Sequence, residues 1–412
     1  MNILVIGSGG REHALVAALQ RSASHHRLFA LPGNPGIATV ATCIAGSVVD
    51  ESLLQEVCLD KTIDLVVFGP ELPLQAGLAD RVRSWGILAF GPGADGAELE
   101  CSKVFAKDFM QRHSIPSAHY QVVADFGEML AAYQADFVIK ADGLAGGKGV
   151  FLPTTHEQYR SIAEDLFLNQ KLGPSAERVV LEERLQGPEI SFFYLLNGKT
   201  SYYLGSARDH KRAYEGGIGP NTGGMGAFTP VALTKQDRTD IKNIIDRTVN
   251  GLTRDGIDYR GVLFIGCMRT TQGLKVLEYN VRFGDPETQA LQAQWGEGFD
   301  QLLLAAARGT PFPDSYLDET PSVCVVVCSE GYPDTIRGGE TVTIGQHRHT
   351  TLFHAGTALK DGRLINQSGR VFNLVASGDT IEQARALVYD EINQIQFKGC
   401  WYRKDIADEI SI

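Results

Sequence analysis

Apolar residues in the first hundred positions come in short unbroken runs, Ile3–Ile6, Leu28–Leu31, Leu65–Phe68 and Ile87–Phe90. Each run stops at a turn rich in glycine or proline: Gly7-Ser8-Gly9-Gly10, Pro32-Gly33-Asn34, Gly69-Pro70-Glu71 and Gly91-Pro92-Gly93. A continuous apolar run predicts a strand covered on both faces, and Ala14, Leu15, Ala18 and Leu19 repeat at helical spacing between two of them. Strand and helix in alternation predict βαβ units and a parallel sheet, an α/β arrangement. Ligands of such sheets collect at the carboxyl ends of the strands, where these turns lie.

The pattern changes near Glu98, where a helix is predicted through His113 and stopped by Ile115-Pro116. Strands follow at Phe137–Lys140 and Val179–Glu182, then a glycine-rich loop at 205–227 and a hairpin around Gly273, so this part reads as α+β. A third region opens with the strand Val323–Cys328 and closes with a helix near Ile381–Ile395, and Thr310-Pro311-Phe312-Pro313 is the expected hinge before it. No internal repeat and no low-complexity segment interrupts the chain.

Composition narrows the class. A length of 412 residues predicts two or three domains. With 43% hydrophobic and 21% charged residues the chain is globular and not disordered. A net charge of -11 leaves no broad electrostatic footprint for nucleic acid or an anionic membrane, so a phosphate ligand must be held locally. No apolar run approaches the roughly 18 residues of a membrane span. The start, Met1-Asn2-Ile3-Leu4-Val5-Ile6, reads as a buried strand rather than a signal peptide. The seven cysteines are odd in number and scattered, and Cys324 and Cys328 share one face of a strand as packing residues; a cytoplasmic location is expected.

Gly7-Ser8-Gly9-Gly10 after a strand invites a dinucleotide reading, but Glu12 stands where the fingerprint wants a third glycine. The second strand ends Leu31-Pro32-Gly33 without the acid that would hold a ribose diol. A single sugar phosphate at the helix start, or a purely structural turn, remains open. Further on, Lys140 ends a strand and is followed by Gly143-Leu144-Ala145-Gly146-Gly147-Lys148-Gly149, which is no Walker sequence. Its small residues could let a loop fold backbone N–H groups over phosphates, with lysines supplying charge. Val179–Leu185, then Gln186-Gly187-Pro188-Glu189, offers a strand leading into an irregular connection suited to an adenine edge and a ribose; a surface-charged strand end is the plainer reading. On a strand, Glu278, Asn280 and Arg282 share one face opposite Leu277, Tyr279 and Val281. That face is either solvated or a set of hard ligands for Mg²⁺ beside phosphates.

In order, Lys107, Lys140, the loop with Lys148, the 182–189 connection and Glu278-x-Asn280-x-Arg282 resemble the ATP-grasp superfamily. Within it, Arg282-Phe283-Gly284-Asp285-Pro286-Glu287-Thr288-Gln289 resembles the signature of the phosphoribosylamine–glycine ligase family. Gly7–Ala14, Gly69-Pro70-Glu71-x-Pro73-Leu74, Asp209-His210-Lys211-Arg212, Gly219–Gly226 and Phe353-His354-Ala355-Gly356-Thr357 are similar to the same family, so the likeness runs the length of the chain. Residue 146 is Gly where Ala is expected and residue 281 is Val where Cys is expected, both conservative.

The resemblance implies a carbon–nitrogen ligase of de novo purine synthesis, joining glycine to 5-phosphoribosylamine with ATP through a glycyl phosphate. It implies an N-terminal parallel-sheet domain at 1–101, an ATP-grasp domain at 102–313 with a mobile lid at about 121–189, and a small C-terminal α/β domain at 316–412. By the same analogy Lys107 and Lys140 contact ATP phosphates, with Lys103 as a substitute for Lys107; Gly146, Gly147 and Lys148 belong to the lid; Glu183 and Leu185 meet adenine through their backbone and Glu189 takes the ribose. Glu278 and Asn280 would bind Mg²⁺ or Mn²⁺, in a shell left incomplete because Phe264-Ile265-Gly266-Cys267 offers no further acid. Arg282 would neutralise the acyl phosphate. Asp285 and Glu71 would orient phosphoribosylamine, with Gly9 and Gly10 near its phosphate. Asp209, His210 and Lys211 fall on the substrate side, His210 either as a base or, by preference, in positioning. A monomer is expected, with no nucleic-acid or membrane partner, and with transient hand-over from the amidophosphoribosyltransferase as a plausible source of a labile amine. A nicotinamide oxidoreductase, a ligase or carboxylase with another substrate, and a silent nucleotide-binding protein are the alternatives.

Overall fold

The computed structural model describes residues 1–134, 136–144, 149–314 and 318–408. Its first unit is a five-stranded parallel sheet of β1 (Asn2–Gly7), β2 (Arg27–Pro32), β3 (Thr42–Cys43), β4 (Leu65–Phe68) and β5 (Leu88–Phe90), in the order β3-β2-β1-β4-β5. The unbroken apolar runs now have a reason. In β1, Leu4 and Ile6 enter one core cluster while Ile3 and Val5 enter another, all fully buried. Alternate side chains of one strand thus feed cores on both sides of the sheet, which leaves no polar face.

The helix expected from Glu98 to His113 is two helices, Ala94–Cys101 and Lys103–Arg112. Ser102 breaks them with extended backbone, and its hydroxyl accepts from Phe105 N–H and donates to Asp142. The side chain caps the second helix, a stronger local preference than continuing the first.

Beyond this lies a four-stranded antiparallel sheet of β6 (Tyr120–Val123), β7 (Phe137–Ala141), β8 (Val150–Phe151) and β9 (Val179–Glu183), ordered β6-β9-β7-β8. It owns a small core built on Met129, Ile139, Tyr159, Leu166 and Leu181. The largest sheet contains β10 (Glu189–Asn197), β11 (Ser201–Asp209), β14 (Gly226–Thr229), β15 (Arg260–Thr270), β16 (Gly273–Asn280) and β17 (Ser322–Cys328), in the order β16-β15-β10-β11-β14-β17, continued by strands Arg370–Ser377 and Thr351–His354. The proline-rich 310–313 connection therefore joins two parts of one sheet, because β14 pairs with β17 in antiparallel register. The glycine-rich stretch expected as a loop contains a short hairpin of β12 (Arg212–Tyr214) and β13 (Ile218–Asn221). Gly216 N–H donates to Asp405, and Arg403 donates to the Arg212 carbonyl, which ties the hairpin to the end of the chain.

All seven cysteines are free, and Cys324 and Cys328 are buried in β17. Among the described residues no helix is long and apolar enough to cross a membrane.

Candidate active site

The helix Lys103–Arg112 and the strands β7 and β9 bring three charges together. Glu182, its side chain 2% exposed, places one carboxylate oxygen 3.1 Å from Lys107 Nζ and the other 3.0 Å from Lys140 Nζ. Lys140 also donates to the Leu277 carbonyl at 3.3 Å, crossing from the β6–β9 sheet to β16. Lys107 Nζ is buried at ion-pair distance from Glu182, and an ammonium has three N–H donors, so one carboxylate does not exhaust them. Burial pushes Lys107 down to about 8, against the pull of Glu182 and with the repulsion of Lys140. Lys103 donates to the Gly143 carbonyl at 3.2 Å from the same helix.

Neither Glu182 nor its inward direction stood out in the sequence, where Glu183 carried the interest. Glu183 is exposed, 3.9 Å from Lys275, and its N–H donates to the His119 carbonyl. Leu185 is half-buried beyond it. Glu189 accepts from Lys211 Nζ at 2.7 Å. Gly146, Gly147 and Lys148 lie outside the described residues.

At the end of β16, Glu278 faces a set of lysines. Burial would raise its pKa, but Lys211, Lys140 and Lys103 outweigh that and hold it below the usual carboxylate range. Asn280 is buried with its Nδ2 unpartnered, and its Oδ1 accepts from Arg282 Nη2 at 3.1 Å. An ionised carboxylate and an amide oxygen on one strand face suit a hard divalent cation. Three lysines around that carboxylate would repel a lone cation, so the donor set fits a metal that arrives with phosphates. Among the described residues no group of three or more His, Cys, Asp or Glu gathers to hold a metal by itself.

Arg282 is braced by carboxylates of the first region. Its Nη2 lies 3.0 Å from Glu100 Oε1 and its Nε 3.6 Å from Glu71 Oε2, while Nη1 donates to the Phe283 carbonyl. Asp285 accepts from Gln289 at 2.7 Å and pairs with Arg370 at 3.3 Å. Burial alone would raise its pKa; Arg370 and Arg11 hold it ionised.

Nearby, Gly9 N–H donates to Glu12 at 2.6 Å, and Glu12 in turn binds Arg11 Nε at 2.5 Å. Side chains at Gly7, Gly9 or Gly69 would strike Glu12. These glycines therefore make room for a buried carboxylate, which occupies the N–H that a phosphate at this turn would need. A Cβ on Gly10 would run into the Asn373 amide, from the third region.

Asp209, at the end of β11, is raised by burial, which Lys211 opposes and Glu189 reinforces. Lys211 is lowered by burial but raised well above its ordinary value by Asp209, Glu189 and Glu278. Glu287, which the sequence reading did not single out, is buried and pushed up to about 7 by burial and then by Asp209. His210 is depressed to about 4 by burial and by Arg403 and Arg208, and its Nε2 accepts from Ala407 N–H at 3.2 Å.

Ion pairs join these regions, Glu100 of the first and Arg370 of the third both reaching the 282–285 segment, and the same three regions are matched by family models. The phosphoribosylglycinamide synthetase N domain matches residues 1–100, its ATP-grasp domain 101–288 and its C domain 322–409. The chain belongs to the phosphoribosylglycinamide synthetase family. It is 42% identical over 99% of its length to a phosphoribosylamine–glycine ligase of Caulobacter vibrioides, 98% of which is covered. It is 39% identical to that of Caldanaerobacter subterraneus subsp. tengcongensis, with 99% of each chain covered. The crystal structure of the Thermotoga maritima phosphoribosylamine–glycine ligase superposes with a TM-score of 0.89 at 33% identity, over 98% of this chain and all of that one. A biotin carboxylase domain of Hydrogenobacter thermophilus shares the fold at 15% identity and a TM-score of 0.74, covering 97% of this chain and 91% of that one. The family's three-domain, ATP-grasp architecture accounts for the separate core of the β6–β9 sheet.

Proposed function

We infer that this chain ligates glycine to 5-phospho-β-D-ribosylamine at the expense of ATP, giving N1-(5-phospho-β-D-ribosyl)glycinamide, ADP and phosphate in de novo purine synthesis. The observation that carries this is the end-to-end match to the ligases of the family, at 39–42% identity over nearly the whole chain. The residues supply a chemical reason. A carboxylate is a poor electrophile, so one glycine oxygen first attacks the γ-phosphorus and ADP departs; the amine then attacks the glycyl carbonyl, phosphate departs and the amine gives up a proton. Catalysis of such phosphoryl transfer is mostly positioning and charge neutralisation.

We assign Lys107 and Lys140, with Lys103 near them, to the triphosphate, and Lys148, Gly146 and Gly147 to the lid over it. Support comes from the Lys107–Glu182–Lys140 bridge, which spaces two cations around a point where an anion can compete. Glu183 and Leu185 are assigned to adenine and Glu189 to ribose. Glu278 and Asn280 would hold Mg²⁺ or Mn²⁺, which supplies charge neutralisation between phosphate oxygens when bound. Arg282 faces the acyl phosphate. Glu71 and Asp285 orient phosphoribosylamine, with Gly9 and Gly10 near its phosphate. Asp209 and Lys211 face the substrates, and His210 positions the 209–211 segment, a role supported by its low pKa and its bond from Ala407. The domain limits 1–101, 102–313 and 316–412, a monomeric state and direct receipt of the amine from the enzyme that makes it complete the proposal.

The test is ADP release with ATP, glycine and freshly generated phosphoribosylamine. Turnover should require both glycine and the amine, and alanine or serine should not replace glycine. ADP release independent of glycine overturns the reading.

A further inference from the structure

Glu100 closes the helix Ala94–Cys101 in the first region, yet its carboxylate reaches the strand face at 278–282. Its side chain is 8% exposed. One oxygen accepts from Val281 N–H at 2.8 Å and the other lies 3.0 Å from Arg282 Nη2. A single carboxylate thus fixes both the backbone entering Arg282 and one arm of its guanidinium. The remaining contacts are weaker or neutral: Glu71 at 3.6 Å from Nε, the Asn280 amide oxygen and the Phe283 carbonyl. Arg282 Nε itself makes no hydrogen bond.

Arginine carries a long stem with considerable rotamer entropy, and an ion pair with a buried, backbone-anchored carboxylate restricts it to one pose. Without the Glu100 charge, the nearest anion for the guanidinium is Glu71. Arg282 would then turn away from the phosphate side and engage a carboxylate assigned to the amine substrate. We propose that Glu100 is a positioning residue for the ligation, holding Arg282 toward the acyl phosphate and keeping Glu71 free for the amine. This rests on the activity proposed above. It places a residue of the amine-side region in control of the activation step, so the two halves of the reaction share one charged strut. The groups facing Glu100 are Arg282, Glu71 and Glu278.

The experiment compares Glu100→Gln, Arg282→Lys and the double variant with the unaltered enzyme, in the full reaction and in glycine- and ATP-dependent hydroxamate formation with hydroxylamine as the acceptor. Glu100→Gln should lower kcat 10- to 100-fold in both assays and leave the apparent KM for ATP within twofold, because the Lys107–Glu182–Lys140 bridge is untouched. In the Arg282→Lys background the same change should cost less than threefold, since a residue acting through Arg282 has nothing left to position. Unchanged kcat, a KM for ATP that rises in step with the loss, or effects that multiply in the double variant would overturn the proposal. Failure of the unaltered enzyme to release ADP with ATP, glycine and phosphoribosylamine would instead overturn the activity on which it rests. If circular dichroism shows that Glu100→Gln does not fold, Glu100→Asp takes its place under the same criteria.

Discussion

Lys107 and Glu182 meet at 3.1 Å across the boundary between the helix Lys103–Arg112 and the β6–β9 sheet, both almost wholly buried. Glu182 then passes the contact to Lys140 at 3.0 Å, and Lys140 to β16. The bridge links the β6–β9 sheet to the body at the place proposed above for the ATP phosphates. A buried carboxylate between two lysines keeps both cations close without their repelling one another apart, and an incoming triphosphate can take over that role.

Removing the carboxylate exposes the arrangement. Glu182→Ala leaves two buried lysines without their shared counter-charge, and breaking a buried pair in this way costs about 3–5 kcal/mol. Denaturant unfolding should show a lowered midpoint, and the apparent KM for ATP should rise about tenfold or more. An unchanged midpoint would show that the bridge contributes nothing to the fold.

Lys107 makes the pH dependence specific. With its pKa lowered to about 8, chiefly by burial, it is charged below pH 8, and in the role proposed for it attracts phosphate there. That attraction is lost as pH rises through 8, so kcat/KM for ATP should fall above pH 8. Lys107→Arg, whose guanidinium stays charged, should flatten this limb of the profile.

Glu278 is the anion that Lys211, Lys140 and Lys103 surround. Glu278→Ala should lower turnover by about 100-fold or more, with the circular dichroism spectrum unchanged. Removal of divalent cation by a chelator should abolish turnover in the unaltered enzyme. Near-normal turnover of the variant at limiting Mg²⁺ would remove Glu278 from the metal site.

Glu287 yields a stability prediction of opposite sign to most carboxylates. Its folded-state pKa, about 7, lies above the unfolded value near 4.5. The folded state therefore holds the proton longer, and stability declines as pH rises from 4.5 to 7. Glu287→Gln should remove that decline when unfolding by urea is compared at pH 5 and pH 8.

Gly187 has φ +142, and a Cβ there would run into the Arg269 carbonyl oxygen. Gly187→Ala should lower stability by about 1–3 kcal/mol and raise the apparent KM for ATP, because the 183–189 connection must shift to relieve the contact.

The sequence by itself determined the parallel first sheet, since apolar runs of four residues ending in glycine turns admit few other arrangements. It also determined the order of charged motifs along the chain, including Lys140 and the Glu278-x-Asn280-x-Arg282 face. The tertiary structure decided which charges meet. Along the strand, Glu182 and Glu183 are neighbours of the same type, and only the packing of β9 against the helix Lys103–Arg112 turns the first inward to Lys107 and leaves the second in solvent. Glu100 and Arg282 stand 182 positions apart and share no motif; their contact exists because the helix Ala94–Cys101 lies against the end of β16. Glu12 filling the first glycine turn follows from Gly69 approaching from β4 as much as from Gly7 and Gly9. Local patterning is set by periodicity and backbone preference, which act over a few residues. Pairing of buried charges is set by which surfaces the folded chain presses together, and that is a property of the whole fold.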